Sequence, residues 1–493
     1  MKNTPSRAPG LVEADFRLTA PSGFGDGMNH YAHSMAVFEG KVYVGTSRGV
    51  IQAHKWNQAR PNMRPWPVDS PDILYDLPRQ AEIWCFDPAT ETWTRVYQAP
   101  MVPSRLPGGR LMTRYLGYRG MGVFQGATDH KPCLYVSTWA PQPVDPPNIL
   151  RSDDGVHFEP TERPPFEPIV RSFRTLFPFN GRVHTSPTSS SKSARKISDS
   201  IGSDSTIYAT EDVQNAPWQA VNEEGFGSPD NVTIFEMETF NGQLYATTVN
   251  PKTGFELWRT PGGDLPYRWT RVIAGGAGRG VFNEVGAAMC VFNGALYLGS
   301  GVLSGGYHRA MKIGPAAAEL IRVWPDDSWE LIMGDARHTS QGLQYPLSGY
   351  GSGFDNLFNG YVWRMVEHEG WLYAGTFSWG QIVPHMPLAQ WPPDALALLD
   401  RWNRDAFCES RGGAELWRSA DGVRWTPVTL TGFGNRYNWG FRNFASTPTG
   451  LLVASANPYG PTVAQQQADG RWTYVANPRG GCEVWLGRNG GWA

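Results

Sequence analysis

Residues 231–259, NVTIFEMETFNGQLYATTVNPKTGFELWR, decide the fold. Apolar and aromatic residues alternate from Ile234 to Phe240, Asn241 and Gly242 supply a hairpin turn, and Leu244, Tyr245, Ala246 and Thr247 return antiparallel. Glu256, Leu257, Trp258 and Arg259 read as a third strand, and Trp269 to Val272 as a fourth. One such unit leaves both faces of its sheet bare, so it needs copies of itself on either side.

The chain supplies them. First strands carry MAVF (35–38), MGVF (121–124), LFPF (176–179), METF (237–240), MCVF (289–292), MVEH (365–368) and FAST (444–447). Second strands carry VY (42–43), LY (134–135), VH (183–184), LY (244–245), LY (296–297), LY (372–373) and LL (451–452). Third strands recur as EIW (82–84), ELW (256–258), ELI (319–321), ELW (415–417) and EVW (483–485). Fourth strands open on Trp93, Trp218, Trp269, Trp329 and Trp425. Four-stranded units repeated around an axis specify an all-β chain, a seven-bladed β-propeller. Residues 16–19 match the end of a blade, so this N-terminal strand is expected to complete the C-terminal blade and close the ring. The expected organisation is a disordered leader over 1–10 and one propeller over 11–493, with a flexible insertion at about 186–205. Lid-like insertions are expected at 47–81 and 377–414, the latter with a helix over 392–407 carried by Leu396, Leu398, Leu399 and Trp402.

Composition agrees with a stack of sheets. Aromatics reach 13% against 18% charged residues, and 56 Gly and 40 Pro serve many tight turns. A net charge of −2 supplies no basic field, which excludes nucleic acid as a partner. Five cysteines (Cys85, Cys133, Cys290, Cys408, Cys482) lack metal-type spacing and read as reduced core thiols. Neither a secretory leader nor an 18-residue apolar run is visible, so the expectation is a cytoplasmic protein without membrane contact.

With seven copies in one chain, the blades act as each other's controls. Six residues before the first-strand Met, or its equivalent, stand Asn29, Asn231, Asn283, Asn359 and Asn438. Two readings are open: a ring of amides at a cation site, or amides tying each incoming loop to the backbone of the neighbouring blade. The repeated third-strand glutamates read as scaffold. Two residues before the Met the pattern breaks, giving His33, Arg119, Arg174, Phe235, Ala287, Trp363 and Arg442. One residue before it stand Ser34, Gly120, Thr175, Glu236, Ala288, Arg364 and Asn443. Equivalent positions on inner strands converge on the axis, so this is a cluster of arginines with one His and one Glu. Arginines placed there need an anion or a polar partner. They hold a carboxylate, phosphate, phenolate or leaving halide, or they plug the channel through internal ion pairs. In the first reading Arg119, Arg174, Trp363, Arg364 and Arg442 bind substrate, on the face built up by the loops. His33 carries a proton, Glu236 acts as base or orienting group, and Tyr437 offers a hydroxyl at the rim. No metal-ligand spacing, phosphate loop, dinucleotide fingerprint or nucleophile elbow is present, so no metal or cofactor is expected.

The repeat resembles Kelch-like and Asp-box-like seven-bladed propellers over nearly the whole chain. It departs from Kelch repeats in lacking a regular Gly-Gly doublet between the first two strands. The Asp-box likeness rests on turns such as SDDG (152–155) and SADG (419–422). In architecture the chain is also similar to the propeller domain of cyanobacterial resorcinol-alkylating enzymes. That likeness implies arginine and tyrosine near a leaving halide and acidic residues near a phenol. Two functions follow: a metal-independent tailoring enzyme (alkylation, cyclisation or lyase-type) on a small anionic or phenolic substrate, or a scaffold propeller gripping a protein or glycan.

Overall fold

The computed structural model describes residues 8–56, 63, 65–71, 73–162, 164, 166, 170–188, 204–303, 314–386, 391, 393–401 and 404–490. Thr233–Phe240 pairs antiparallel with Gln243–Val249, which pairs with Leu257–Thr260, which pairs with Thr270–Ile273. The hairpin turn forms at Asn241 and Gly242, both at positive φ. Asn29–Phe38, Lys41–Arg48, Glu82–Asp87 and Thr92–Gln98 repeat this order. So do Gly117–Phe124, Cys133–Trp139, Ile149–Ser152 and Glu159–Pro160. Val285–Phe292, Ala295–Gly301, Leu320–Val323 and Trp329–Met333 form another ladder. Asn359–His368, Trp371–Ser378, Leu416–Ser419 and Trp425–Thr429 form the next. The short strands Phe177–Phe179, Arg182–Thr185, Tyr208–Thr210 and Gln219–Ala220 make a sheet of their own. Finally Gly440–Thr447 pairs with Gly450–Ala456, then Val484–Gly487, then the N-terminal Phe16–Leu18. The fold is all-β and propeller-like.

A second contact knits the ladders together. The far end of a second strand pairs with the next first strand, as in Ser47 with Gly117, Val249 with Val285, Gly301 with Tyr361 and Phe377 with Gly440. Ala456 pairs in the same way with Tyr31. Apolar clusters fill the spaces between ladders. One joins Tyr245, Leu257 and Ile273 to Leu296, Ile321 and Leu331.

The five repeated asparagines belong to the scaffold, in a form the sequence reading did not foresee. Each amide Nδ2 donates to a carbonyl of its own incoming loop, that of Gly23, Gly225, Gly276, Gly353 or Gly432, at 2.9–3.0 Å. It also donates to a third-strand carboxylate of its own ladder, Glu82, Glu256, Glu319, Glu415 or Glu483, at 2.6–2.8 Å. The tie therefore runs within a blade rather than to its neighbour. Trp84, Trp258, Trp417 and Trp485 donate their indole N–H to the same carboxylates. Phe24, Phe226, Phe354 and Phe433 stack on those indoles at 4.4–4.7 Å. These four phenylalanines sit at positive φ, 54–57°, each following a glycine that is also at positive φ. A left-handed pair turns the incoming loop so that its ring lands on the tryptophan.

Several expectations change. Residues 1–7 of the expected leader lie outside the described residues, while the carbonyl of Ala8 accepts from Trp371 Nε1 at 2.8 Å and Leu11 is fully buried. Within the 186–205 insertion, Pro187–Thr188 pairs with Ser172–Phe173, and 189–203 lie outside the described residues. The expected helix over 392–407 is instead two, Pro393–Arg401 and Arg404–Arg411. Leu399 is buried, while the side chains of Leu398 and Trp402 lie outside the description. Both SDDG and SADG turns are closed from within, Ser152 Oγ accepting from Gly155 N at 2.9 Å and Ser419 Oγ from Gly422 N at 2.8 Å. No helix among the described residues is long and apolar enough to cross a membrane.

Replacing Asn283 by Ala removes the donations to Gly276 and Glu319, taking one donor from the carbonyl of a buried glycine and one from a carboxylate that is fully buried. The expected loss is about 2–3 kcal/mol of unfolding free energy, read by denaturant titration. Asn283→Asp, which sets two carboxylates face to face, should lose more.

Candidate functional site

The site begins with a flaw in each inner strand. Register slips at the same place in six of the first strands. The slips lie between Ala32 and Ser34, Tyr118 and Gly120, Ile234 and Met237, Gly286 and Ala288, Val362 and Arg364, and Phe441 and Asn443. The residues left out of register are His33, Arg119, Phe235 with Glu236, Ala287, Trp363 and Arg442. A β-bulge sets one residue free of the ladder and re-aims its side chain. Here consecutive residues, Arg119 with Gly120, Phe235 with Glu236 and Arg442 with Asn443, line one cavity.

That cavity lies on the axis and has a volume of about 210 Å³. Its charged lining is Arg119, Arg174, Arg364 and Arg442 against Glu236 and Glu238; Met35, Met121, Met237, Met289 and Phe444 form its apolar wall. Arg364 Nη1 donates to Glu236 Oε2 at 3.0 Å, and Arg364 Nε to the Arg442 carbonyl at 3.5 Å. Arg119 Nη1 donates to Thr188 Oγ1 at 3.0 Å. The guanidinium of Arg174 lies 4.1 Å from the Phe235 ring, and that of Arg442 lies 4.9 Å from the Trp363 ring. Arg442 Nε is buried and has no hydrogen-bond partner among the described residues.

Burial and mutual repulsion strain these charges. Desolvation, then the charges of Arg364 and Arg174, pull Arg442 down to about 9. Desolvation brings Arg174 down to about 10, and Arg119 falls well below the ordinary arginine value through burial and the charges of Arg174 and Arg442. Arg174 and Arg442 remain cations at neutral pH, so an anion in the cavity relieves them.

The sequence-predicted residues divide. Arg119, Arg174, Glu236, Arg364 and Arg442 meet at the cavity. Trp363 stands behind Arg442 as its aromatic neighbour. His33 is buried, its Nδ1 at 2.5 Å from Ser47 Oγ, and is not among the lining residues. Desolvation, then the charges of Arg442, Arg119 and Arg174, hold His33 well below its ordinary pKa, so it is neutral at pH 7. Tyr437 is elsewhere. It packs against Tyr459 at 5.1 Å, and its hydroxyl accepts from Arg436 at 3.2 Å. The Tyr118 ring is buried between ladders beside Tyr97 and Tyr115.

First strands begin, and second strands end, on the face that carries the long insertions. There Tyr31, Trp363, Phe377 and Trp439 pack edge to face at 5.3–6.1 Å. Toward the hairpin turns the strands loosen, from fully buried Asn29 and Asn359 to exposed Val37, Val291 and Glu367.

Glu238 was missed in the sequence because its place in the strand is occupied by unrelated residues in the other blades. It lines the cavity two residues beyond Glu236. Burial, and then the charge of Glu236, push its carboxyl up to about 7 against the opposing pull of the Thr239 N–H and Arg364. A carboxyl that titrates near neutrality is suited to both taking and giving a proton. Among the described residues no group of three His, Cys, Asp or Glu is placed to hold a metal ion.

No family model matches the chain, and no curated protein sequence matches it. Solved structures do. An ancestral GH74 enzyme is 10% identical, with 94% of this chain and 48% of that one covered at a TM-score of 0.45. Virginiamycin B lyase from Staphylococcus aureus is 8% identical, covering 96% and 99%, with a TM-score of 0.43. A puromycin-hydrolyzing peptidase from Mycobacterium tuberculosis is 12% identical, covering 94% and 56%, with a TM-score of 0.41. The chain thus spans about half the length of the first and the last. Likenesses this remote carry no argument about chemistry, and they lend no support to the Kelch or resorcinol-alkylating resemblance.

Glu238 gives a stability test with a defined sign. Its folded pKa is raised, so the ionised carboxylate opposes folding, and that penalty grows as pH climbs from the unfolded value through about 7. Glu238→Gln should therefore stabilise the protein by roughly 1–2 kcal/mol at pH 8.5 and leave it nearly unchanged at pH 5. Melting curves at the two pH values read the difference.

Proposed function

We propose that the chain is a small-molecule enzyme that anchors an anionic substrate in the axial cavity through Arg119, Arg174 and Arg442. Glu236 and Glu238 handle a proton there. One observation carries this reading: the fully buried guanidinium of Arg442 faces the cavity with its Nε unpaired and an aromatic ring, not a carboxylate, behind it. A channel plug pairs its charges internally, as Arg364 and Glu236 do. Arg442 does not.

The chemistry that suits these groups is lyase- or isomerase-type proton transfer. A carboxylate of the Glu236–Glu238 pair takes a proton from the carbon next to the anchored anion. The electron pair of that C–H bond then spreads onto the anion, where the arginines stabilise the added charge. Return of the proton to another carbon gives an isomer; departure of a β-substituent with its bonding pair gives an alkene. The ring behind the site is read as seven blades closed by Phe16–Leu18 on Val484–Gly487. The pairings of those strands, and of Tyr31 with Ala456, support that reading.

A second reading has its own observation. On the insertion-rich face the indole N–H groups of Trp66, Trp379 and Trp439 are buried in one aromatic cluster without acceptors among the described residues. A non-catalytic propeller gripping a glycan or protein by that face would use such donors.

Solvent-deuterium exchange separates the two. Small carboxylates and phenolates incubated with the protein in D₂O, followed by proton NMR, should lose a carbon-bound proton with the wild type. Exchange should fall by about 10²-fold or more in Glu238→Gln. Arg442→Met should abolish exchange while leaving the melting temperature unchanged or raised, because it removes an unpaired buried charge. No exchange with the wild type would return the chain to the binding class, and exchange that persists in Arg442→Met would remove the arginine from the site.

A further inference from the structure

The residue next to Arg442 narrows the substrate further, on the premise that Arg442 anchors an anion. Register slips between Phe441 and Asn443, and both Arg442 and Asn443 line the cavity although neighbours in a regular strand point to opposite faces. They are 8% and 7% exposed. The guanidinium of Arg442 makes no hydrogen bond or ion pair with the described residues and rests on the Trp363 ring.

Asn443 is half committed. Its Nδ2 donates to the carbonyl of Ala32 at 2.7 Å, which fixes which end of the amide is nitrogen and which is oxygen. The Oδ1 accepts no hydrogen bond from the described residues, yet it is not among the polar atoms shut away from solvent. A carbonyl oxygen can only accept. The bulge therefore offers a cation and a neutral acceptor side by side, from consecutive residues of one strand.

A plain carboxylate satisfies half of this pair. It meets Arg442, but its oxygens also only accept, so beside Asn443 two oxygens would face each other or Oδ1 would lose its water without replacement. A ligand that carries a donor close to its anion satisfies both. An ammonium is a donor too, but it would lie beside a guanidinium that no carboxylate balances, like charge against like charge. A hydroxyl donates without that repulsion.

We infer that Asn443 sets the substrate class: the cavity takes a hydroxy acid, its carboxylate on Arg442 and its hydroxyl, one or two carbons away, donating to Asn443 Oδ1. Arg364 and Glu236 stay paired with each other at 3.0 Å while this ligand binds. Thr175, whose hydroxyl also belongs to the lining, does not discriminate, because a hydroxyl serves as donor or acceptor alike.

Calorimetric titration at pH 8 with 2-hydroxybutyrate, 3-hydroxybutyrate, 2-aminobutyrate and butyrate tests the inference. One of the hydroxybutyrates is expected to bind the wild type about tenfold more tightly than butyrate, the cost of leaving Oδ1 unpaired. Asn443→Leu, similar in shape but without the acceptor, should bring the two to within about twofold by weakening the hydroxy acid alone. Melting curves establish that the variant is folded. If it is not, Asn443→Ser, whose hydroxyl can still donate to Ala32, takes its place. Hydroxybutyrates that bind the wild type no more tightly than butyrate overturn the hydroxy acid and leave the anchored anion standing. Tighter binding of 2-aminobutyrate than of either hydroxy acid puts an ammonium in place of the hydroxyl and also overturns the inference. So does a hydroxyl preference that survives in the folded Asn443 variant. Binding of none of the four overturns the anchored anion as well.

Discussion

Everything in this molecule hangs on a buried carboxylate. In five of the ladders a third-strand glutamate is removed from solvent, which costs several kcal/mol unless its oxygens are well supplied with donors. The supply is nearly the same each time: an asparagine amide from the first strand, a guanidinium, and in four cases an indole N–H two residues away. Because the asparagine also holds its incoming loop, the glutamate fixes the loop, the start of the inner strand and the third strand against one another. The stacked Phe–Trp pairs then add about 0.5–1.5 kcal/mol each. The ladders without this arrangement, beginning at Gly117 and Phe177, are the ones with the shortest outer strands.

The rigid frame makes a irregular centre affordable. Bulges weaken a ladder by leaving backbone unpaired, and six first strands carry one at the level of the cavity. In five of the six the lock fixes the strand several residues upstream, so the bulge shifts side chains without shifting the strand. Arginines gathered at such a place repel one another and resist desolvation. They hold position because Phe235, Trp363 and Trp139 lie against them and because Glu236 balances one of them.

What the sequence could reveal follows the same division. The strands of the repeat were legible because each is copied, and alternation, Asn-Gly turns and Glu-x-Trp runs recur at fixed offsets. The cluster of Arg119, Arg174, Glu236, Arg364 and Arg442 was legible because equivalent positions must converge whatever their chemistry. Depth along the axis was not. The His33 ring packs against Tyr31 and Trp139 and stays out of the cavity lining, a placement that only tertiary packing sets. Tyr437 was placed by loop order alone, and its loop turns outward onto Tyr459. Glu238 lacked a repeat partner to draw attention to it, and its character comes from burial beside Glu236, which no linear pattern encodes. The small hairpins of Met101–Pro103 with Leu111–Thr113, and Thr462–Gln466 with Trp472–Ala476, sit inside connections and follow no repeat.

The pairing of Phe16–Leu18 with Val484–Gly487 also sets a timetable. Thr19 bonds to Val484, 465 residues further along the chain. At about 5–20 residues per second, a ribosome needs tens of seconds to make that partner. Until then the early strand has no edge to join, and the ladder at Gly440–Ala456 has an open flank that any other extended segment can occupy. The hazard falls during synthesis rather than in the finished protein. Crowded expression, slow codons late in the message or a scarcity of chaperones should therefore lower the yield of soluble chain without altering the molecule that escapes them.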